Sequence, residues 1–263
     1  MLPTFLVIGA MKAATTSLWA YLRAHPMVFM APKEPNFFAF GWERGLDWYE
    51  GLFDGAGGAS ALGDVSPSYT SYPGEVPVRI RKTVPEARLI YSLRDPVARV
   101  KAHYLHARAG GREKRSFERA IEETPWYVTC SKYALWTEHY LEHFPSEQVL
   151  LMKSEDLRTR REETLDRILW FLDIESGWRP PNLGLEKNVT ADKRVPRRGM
   201  SAAARCARSR PAPMVHRYVT RPIKPSDTDL SPGALTRLRE ELAPDVARLR
   251  AYMPPGFDGW GIA

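Results

Sequence analysis

The sequence has few cysteines and no long apolar run. Cys130 and Cys206 are the only cysteines among 263 residues, which excludes a disulfide framework and a cysteine-based zinc cluster. The first apolar run, residues 3–10, is far shorter than the roughly 20 residues that a membrane-spanning helix needs. No basic residue precedes it, as one would in a secretory signal. We therefore expect a cytoplasmic protein with reduced thiols and no membrane span.

Charge of one sign is concentrated in one part of the chain. The net charge is +7, but residues 187–224 contain eleven Lys and Arg against one acidic residue, so this segment carries +10 and the remainder −3. Such a segment suits a polyanionic ligand, and a solvated insertion would have the same composition. With 44% hydrophobic residues, the chain predicts a single domain over residues 1–263 that includes a basic, loop-rich segment at about 177–229.

Two strand–loop–helix units predict an α/β fold with a central parallel sheet flanked by helices. In the first, an apolar run at 5–8 and Gly9 precede a helical pattern at 15–24. In the second, a run at 88–93 precedes a helix at 97–109, with Asp95 as N-cap and Pro96 at the first helical position. Further strands are predicted at 61–65 and 149–152, and helices at 133–143, 161–172 and 232–252. The last helix is expected to be interrupted or kinked near Pro244.

The turn after the first strand has the composition of an anion-binding loop. A helix N-terminus presents N–H groups without intrahelical partners and the positive end of the helix dipole. Small residues allow close approach of an anion, hydroxyl groups donate hydrogen bonds, and one lysine adds a full charge. The residues that combine these properties are Lys12, Ala13, Ala14, Thr15, Thr16 and Ser17. The alternative is that Thr15 caps the helix and Lys12 is solvated.

This loop is not a Walker A motif, because its lysine comes early and the second glycine is missing. It resembles the 5′-phosphosulfate loop of sulfotransferases that use 3′-phosphoadenosine 5′-phosphosulfate (PAPS), which is typically Lys-x-Gly-Thr-Thr or Lys-x-Gly-Thr-Ser. Four further blocks follow in the order of the heparan-sulfate-type and bacterial branch of that family. They are His25-Pro26 with Lys33-Glu34-Pro35-Asn36-Phe37-Phe38, Gly63-Asp64-Val65-Ser66-Pro67-Ser68-Tyr69, Ser92-Leu93-Arg94-Asp95-Pro96, and Ser154-Glu155-Asp156-Leu157.

The resemblance implies a P-loop-like three-layer domain and transfer of a sulfuryl group from PAPS to a hydroxyl or amine, with adenosine 3′,5′-bisphosphate as product and no metal. It implies that Lys12 stabilises the leaving group and, together with the loop, binds the 5′-phosphate. It further implies that Arg94 binds the 3′-phosphate and that Glu34 is the catalytic base. A glutamate beside the apolar rings of Phe37 and Phe38 would also have the raised pKa that suits a base.

This chain departs from the family pattern at several positions. Ala14 stands where glycine is usual, and Ala102 stands where a serine assists the 3′-phosphate arginine. We expect Arg99, or a residue of the basic segment, to replace that serine. The candidates in the basic segment are Lys193, Arg194, Arg197 and Arg198.

Two further expectations concern the acceptor side of the site. Asp64 is a reserve candidate for the base, and its alternative is a structural carboxylate at a strand end or turn. Four aromatic residues that neighbour the motifs could line an acceptor pocket or belong to the core. They are Phe37, Phe38, Trp42 and Tyr69.

Two other functions remain open at this stage. A Mg²⁺-dependent P-loop kinase would share the fold. Such a kinase usually has a metal-binding carboxylate after an apolar strand, whereas the comparable strand of this chain ends in Arg94, which favours a second phosphate over a metal. A non-catalytic polyanion binder would use the basic segment, but no nucleic-acid-binding signature accompanies it. The acceptor is expected to be a small molecule, lipid or glycan, and the sequence does not indicate an oligomeric state.

Overall fold

A five-stranded sheet forms the centre of the protein. The computed structural model describes residues 1–71, 74–181, 183–184, 194–196 and 220–262. The strands of the sheet are β1 (Phe5–Gly9), β2 (Val28–Met30), β3 (Ala61–Val65), β4 (Arg88–Leu93) and β5 (Val149–Lys153). Their order is β2-β3-β1-β4-β5, and every neighbouring pair is parallel. The predicted α/β fold with a central parallel sheet is confirmed, while the short β2 was not predicted.

The central strands are buried on both faces because helices cover both sides of the sheet. In β1, Leu6 and Ile8 pack into one apolar cluster, and Phe5 and Val7 pack into the other. This division follows from the alternation of side chains along a strand. A strand that is covered on both faces has a continuous apolar sequence rather than alternating apolar and polar residues. This explains the composition of residues 5–8.

Ten helices lie in the part of the chain that the structure describes. They are α1 (Thr15–Arg23), α2 (Leu46–Gly51), α3 (Val76–Thr83), α4 (Pro96–Ala109), α5 (Phe117–Glu123), α6 (Trp126–Thr129), α7 (Tyr133–Leu141), α8 (Asp156–Thr159), α9 (Arg161–Phe171) and α10 (Pro232–Leu249). Helices α1 and α9 cover one face of the sheet, and α3 and α7 cover the other. None of these helices has both the length and the apolar composition to cross a membrane.

A small antiparallel pair within the basic segment was not predicted. Strand β6 (Arg194–Pro196) pairs with β7 (Thr220–Pro222), where the sequence indicated loops and short helices. Arg194 donates from Nε to Thr220 Oγ1 at 2.9 Å, and β6 packs against α4. Part of the segment therefore lies beside the helix that follows Arg94. Residues 185–193 and 197–219 lie outside the described part of the chain.

Helix α10 runs from Pro232 to Leu249 without interruption, so of the two alternatives expected near Pro244, an interruption or a kink, the interruption is wrong. Proline removes one backbone hydrogen bond and crowds the preceding turn, at a cost of about 3 kcal/mol. An apolar stripe compensates for that cost, since Leu238, Leu242 and Val246 are at most 3% exposed. Tertiary packing therefore keeps the helix intact through the proline.

Asp245, directly after that proline, joins α10 to α7. It is buried, and its carboxylate accepts hydrogen bonds from the backbone amides of Ala134 at 2.9 Å and Leu135 at 3.0 Å. Burial raises the pKa of Asp245, while the two amides and Arg248 oppose that rise by stabilising its ionised form. Asp245 thus caps the N-terminus of α7 from another helix, where the residue before α7, Lys132, provides no side-chain cap.

Replacing Asp245 with alanine should lower the free energy of unfolding by about 2 kcal/mol, because two buried amides lose their acceptor. Urea denaturation followed by circular dichroism measures the change. Glu240→Ala, at an exposed position of the same helix, is the matched control and should stay within about 0.5 kcal/mol of the wild type. Equal stabilities of the two variants would contradict the assigned capping role.

Gly9 ends β1 where another part of the chain passes very close. A Cβ atom added to Gly9 would lie 1.9 Å from Thr70 Oγ1 and 3.0 Å from a ring carbon of Tyr91. Thr70 belongs to the short 3-10 turn Pro67–Thr70 that follows β3. Only glycine fits at this position because backbone and side chain meet without room for a methyl group.

Gly9→Ala should therefore destabilise the protein by about 3 kcal/mol or more, since overpacking forces the neighbouring turn to move. Adding Thr70→Ala should restore part of the loss by removing the closest atom. Gly58→Ala provides the comparison, because a Cβ there meets no atom within 4 Å. Thermal unfolding of the four proteins measures these differences, and a Gly9→Ala variant as stable as Gly58→Ala would refute the close contact.

Candidate functional site

The loop between β1 and α1 has an unusual backbone conformation. Lys12 has φ 75° and Ala14 has φ 59°, both in the left-handed region. Alanine thus adopts here the conformation that glycine adopts without steric cost. Helix α1 begins at Thr15, and Ala14 is its N-cap residue without a side-chain cap. The alternative interpretation of Thr15 as the cap is therefore wrong.

Carbonyl oxygens of this loop are bonded to β4 and the residue after it. Ser92 Oγ donates to the Ala13 carbonyl at 2.7 Å, and Arg94 Nη1 donates to the Lys12 carbonyl at 3.2 Å. In a planar peptide the N–H points away from the C=O, so the Ala14 amide is directed away from β4. The loop consequently turns two carbonyl groups toward β4 and the Ala14 amide toward its other side, while the Ala13 amide donates to the Ala10 carbonyl at 3.1 Å.

The predicted phosphate-binding residues lie together at this helix N-terminus. Lys12 and Thr16 are half-buried, while Thr15 and Ser17 are 5% and 7% exposed. The first amide of the helix to bond within it is that of Ser17, which donates to the Ala14 carbonyl at 3.0 Å. The amides of the preceding residues have no acceptor within the helix. The arrangement thus combines a cation, hydroxyl groups and the positive end of a helix dipole.

Arg94 lies next to this loop, where the sequence predicts it. Two groups hold the turn that carries it: Tyr133 Oη accepts from the Arg94 amide at 3.4 Å, and Glu155 Oε1 accepts from the Asp95 amide at 2.9 Å. Asp95 also caps α4 through the Ala98 amide at 2.7 Å, which confirms its predicted capping role. The sequence indicated a family motif at residues 154–157 but no role for Glu155. In the structure, Glu155 holds the turn that carries Arg94.

Glu34 lies at the carboxyl end of β3, because its amide donates to the Val65 carbonyl at 3.1 Å. Its carboxylate accepts a hydrogen bond from Lys33 Nζ at 2.7 Å, and its side chain is 46% exposed. The expectation that Glu34 packs against apolar rings is wrong, since Phe37 and Phe38 are buried in the core at 1% and 0% exposure. The Glu34 carboxylate instead pairs with Lys33, and nearly half of its side chain is exposed.

Asp64 is fully buried on β3 and is a structural carboxylate rather than a reserve base. It accepts hydrogen bonds from Ser66 Oγ at 2.7 Å, Tyr69 Oη at 2.7 Å and Tyr49 Oη at 2.8 Å. Burial raises its pKa, and the three hydroxyl donors oppose that rise. Tyr69 is itself 0% exposed, so it does not line an acceptor pocket. Of the four predicted pocket aromatics, Trp42 alone is partly exposed.

Arg99 does not replace the missing serine. It is fully buried, where it donates to Ser131 Oγ and the Tyr127 carbonyl and contacts His103 Nδ1 at 3.3 Å. Burial lowers its pKa, but its donors are occupied within the core. The remaining candidates, Lys193, Arg197 and Arg198, lie outside the described residues, and Arg194 bonds Thr220.

Glu34, Lys12 and Arg94 therefore lie at the carboxyl ends of three neighbouring strands, β3, β1 and β4 respectively. Ligands of open parallel sheets bind at this edge. Two cations and a set of amide and hydroxyl donors fit a ligand with more than one phosphate group, such as PAPS. Among the described residues, no group of three or more His, Cys, Asp or Glu is placed to hold a metal ion.

Comparison with known proteins agrees with this arrangement. The profile of the sulfotransferase family matches residues 47–180, which is about half of the chain. Human heparan sulfate glucosamine 3-O-sulfotransferase 3B1 is 31% identical over 183 residues, which cover 66% of this chain and 47% of that protein. Mouse bifunctional heparan sulfate N-deacetylase/N-sulfotransferase 3 is 31% identical over 196 residues, which cover 66% of this chain and 22% of that protein.

A solved structure extends the similarity to nearly the whole chain. The crystal structure of a sulfotransferase from Alicyclobacillus acidocaldarius superimposes with a TM-score of 0.73 and 26% identity, and the match covers 99% of both chains. The curated relatives are longer, since this chain spans about half the length of the human enzyme. The family match, the parallel sheet and the loop at the N-terminus of α1 lead to one conclusion: the chain belongs to the sulfotransferase family.

Proposed function

We propose that this protein transfers a sulfuryl group from PAPS to a hydroxyl or amine of an acceptor and releases adenosine 3′,5′-bisphosphate. One observation carries the proposal: Arg94 Nη1 contacts the Lys12 carbonyl at 3.2 Å. The Arg94 guanidinium group therefore lies against the backbone of the loop that carries Lys12, at the N-terminus of α1. A nucleotide with phosphates at both the 5′ and 3′ positions needs two such anion sites close together.

The loop residues would hold the 5′-phosphosulfate end of the donor. The amide of Ala14 and the hydroxyls of Thr15, Thr16 and Ser17 suit its oxygens, because helix N-termini bind anions. Ala13 would contribute its small side chain, since its amide donates to the Ala10 carbonyl at 3.1 Å. Arg94 would bind the 3′-phosphate through its planar guanidinium group. Arg197 and Arg198 remain proposals for a second contact to the same phosphate.

Two residues carry the chemical step in this proposal. The S–O bond to the 5′-phosphate breaks, and a new bond forms between sulfur and the acceptor oxygen or nitrogen. Lys12 stabilises the charge that develops on the departing phosphate oxygen. Glu34 accepts the proton that the acceptor loses, so the charges balance. A transferring sulfuryl group carries less negative charge than a phosphoryl group, and a lysine with amide donors is sufficient without a metal ion in this mechanism.

The acceptor class follows from the relatives, whose names describe sulfation of heparan sulfate glucosamine at oxygen or nitrogen. We propose a glycan as the first acceptor to test, followed by small hydroxylated metabolites and lipids. We further propose a bacterial, cytoplasmic enzyme that acts as one domain over residues 1–263.

Replacing Arg94 with lysine should weaken binding of adenosine 3′,5′-bisphosphate about tenfold to a hundredfold, because lysine cannot form the paired hydrogen bonds of a guanidinium group. AMP lacks the 3′-phosphate, so its affinity should change little. Isothermal titration calorimetry without Mg²⁺ measures both ligands against both proteins.

Arg88→Lys is the matched control, because Arg88 is at the opposite end of β4 and pairs with Asp173. It should bind both nucleotides like the wild type. An equal loss of AMP and bisphosphate affinity in Arg94→Lys would place Arg94 away from the 3′-phosphate. Wild-type protein that binds ATP only with Mg²⁺, and no bisphosphate, would favour a kinase instead.

Glu34→Gln should reduce sulfate transfer about a hundredfold or more, since glutamine cannot accept the acceptor's proton. Lys12→Ala should reduce it at least as much by leaving charge on the leaving group unbalanced. Mass spectrometry detects the sulfated product from PAPS with heparan sulfate oligosaccharides and a panel of hydroxylated metabolites. Exposed Glu43→Gln is the control for loss of a carboxylate nearby. Full activity of Glu34→Gln would exclude Glu34 as the base.

A further inference from the structure

Asp64 is the centre of a buried hydrogen-bond network that reaches the segment carrying Glu34. The carboxylate receives three hydroxyl donors at 2.7 to 2.8 Å, from Ser66, Tyr69 and Tyr49. Two of these hydroxyls have a second partner in residues 34–38. Ser66 Oγ accepts from the Asn36 amide at 2.9 Å, and Tyr69 Oη accepts from the Phe38 amide at 3.4 Å.

The chemistry of the carboxylate fixes the direction of every bond in this network. An ionised carboxylate only accepts hydrogen bonds, so the hydroxyls of Ser66 and Tyr69 must donate to Asp64. Their lone pairs are then left to accept from the amides of Asn36 and Phe38. If Asp64 were replaced by asparagine, an NH2 donor would stand where one carboxylate oxygen now accepts. A hydroxyl that donates to that oxygen would then have to accept a hydrogen bond instead.

The segment that these bonds hold adopts a strained conformation. Glu34 has φ 59° and Asn36 has φ 54°, both in the left-handed region. A residue other than glycine is held there only where its surroundings fix it. The Asn36 side chain adds two bonds, since its Nδ2 donates to the Glu34 carbonyl at 2.6 Å and its Oδ1 accepts from Ser68 Oγ at 2.7 Å. The backbone of Glu34 is thereby tied to the network through Asn36.

We propose that Asp64 is a positioning residue that holds the carboxylate of Glu34 in place for proton transfer, through the Ser66 hydroxyl and the Asn36 amide. This inference rests on the proposed function of Glu34 as the base. Asp64 itself is fully buried and does not reach an acceptor. Its influence is therefore on the placement of a base, where an error of 1 Å is enough to slow a reaction about a hundredfold.

Tyr49 distinguishes a positioning role from a general contribution to stability. Its hydroxyl donates to Asp64 Oδ2 at 2.8 Å and also interacts with the Tyr69 hydroxyl, and neither of these partners belongs to residues 34–38. Tyr49 is 0% exposed, and its ring stacks on Phe37 at a centroid distance of 4.2 Å. Tyr49→Phe keeps that stacking and removes one donor from Asp64. Ser66→Ala removes one donor as well, but it also removes the acceptor of the Asn36 amide.

The test compares Ser66→Ala and Asp64→Asn with Tyr49→Phe in the full-length protein. Hydrogen exchange measured by mass spectrometry should show faster exchange in residues 33–40 for the first two variants and an unchanged rate for Tyr49→Phe. The kcat of Ser66→Ala and of Asp64→Asn for sulfate transfer from PAPS should fall about tenfold to a hundredfold, and that of Tyr49→Phe should not. The acceptor in this assay is the one identified by the mass-spectrometric product screen. A parallel assay measures hydrolysis of PAPS, in which water is the nucleophile.

Two further readouts separate positioning from misfolding. Calorimetric titration with adenosine 3′,5′-bisphosphate counts the folded sites, and kcat is expressed per site. Bisphosphate affinity should stay within about twofold of the wild type, because the network does not include the loop before α1. Equal effects of Ser66→Ala and Tyr49→Phe on exchange and on kcat per site would overturn the proposal. If the wild type transfers no sulfuryl group to any acceptor or to water, the proposed function fails, and the exchange comparison still decides whether the network holds the segment.

Discussion

The position of β1 between β3 and β4 is the constraint on which the site depends. Each of the three strands ends in one part of the site: β3 fixes Glu34 through the Val65 carbonyl, β1 leads into the phosphate loop, and β4 leads into Arg94. Because all three strands are parallel, their carboxyl ends meet at one edge. The apolar runs that place these strands in the core therefore also determine which charged residues become neighbours.

Two polar residues inside these buried strands connect the sheet to the loops above it. Ser92 on β4 and Asp64 on β3 are both 0% exposed. A buried polar group costs several kcal/mol unless it is hydrogen-bonded. Both residues have hydrogen-bond partners in segments that follow the strands at the site. Ser92 bonds the Ala13 carbonyl, and Asp64 bonds Ser66, which accepts from Asn36. The interior thus fixes the conformation of both sides of the site.

Much of this could be predicted from sequence because it depends on local patterns. Apolar runs predicted four of the five strands of the sheet, and the order of the motifs predicted that Lys12 and Arg94 lie together. The errors concern interactions between distant segments. No local pattern shows that packing carries α10 through Pro244 or that Arg99 is enclosed by the core. The apolar surroundings expected for Glu34 were wrong because neighbours in sequence need not share an environment: Glu34 is 46% exposed, whereas Phe37 and Phe38 are buried.

The two carboxylates at the end of β3 differ in what they can do because their surroundings differ. Asp64 has three donors in a fully buried site, so an acceptor molecule cannot reach its carboxylate without opening the core. Glu34 has Lys33 as its partner, and 46% of its side chain is exposed. An exposed ion pair of this kind contributes at most about 1 kcal/mol, so an incoming hydroxyl or amine can displace Lys33 at little cost. The ion pair with Lys33 is therefore compatible with a role of Glu34 as the base, and Asp64 can act only through the residues it holds in place.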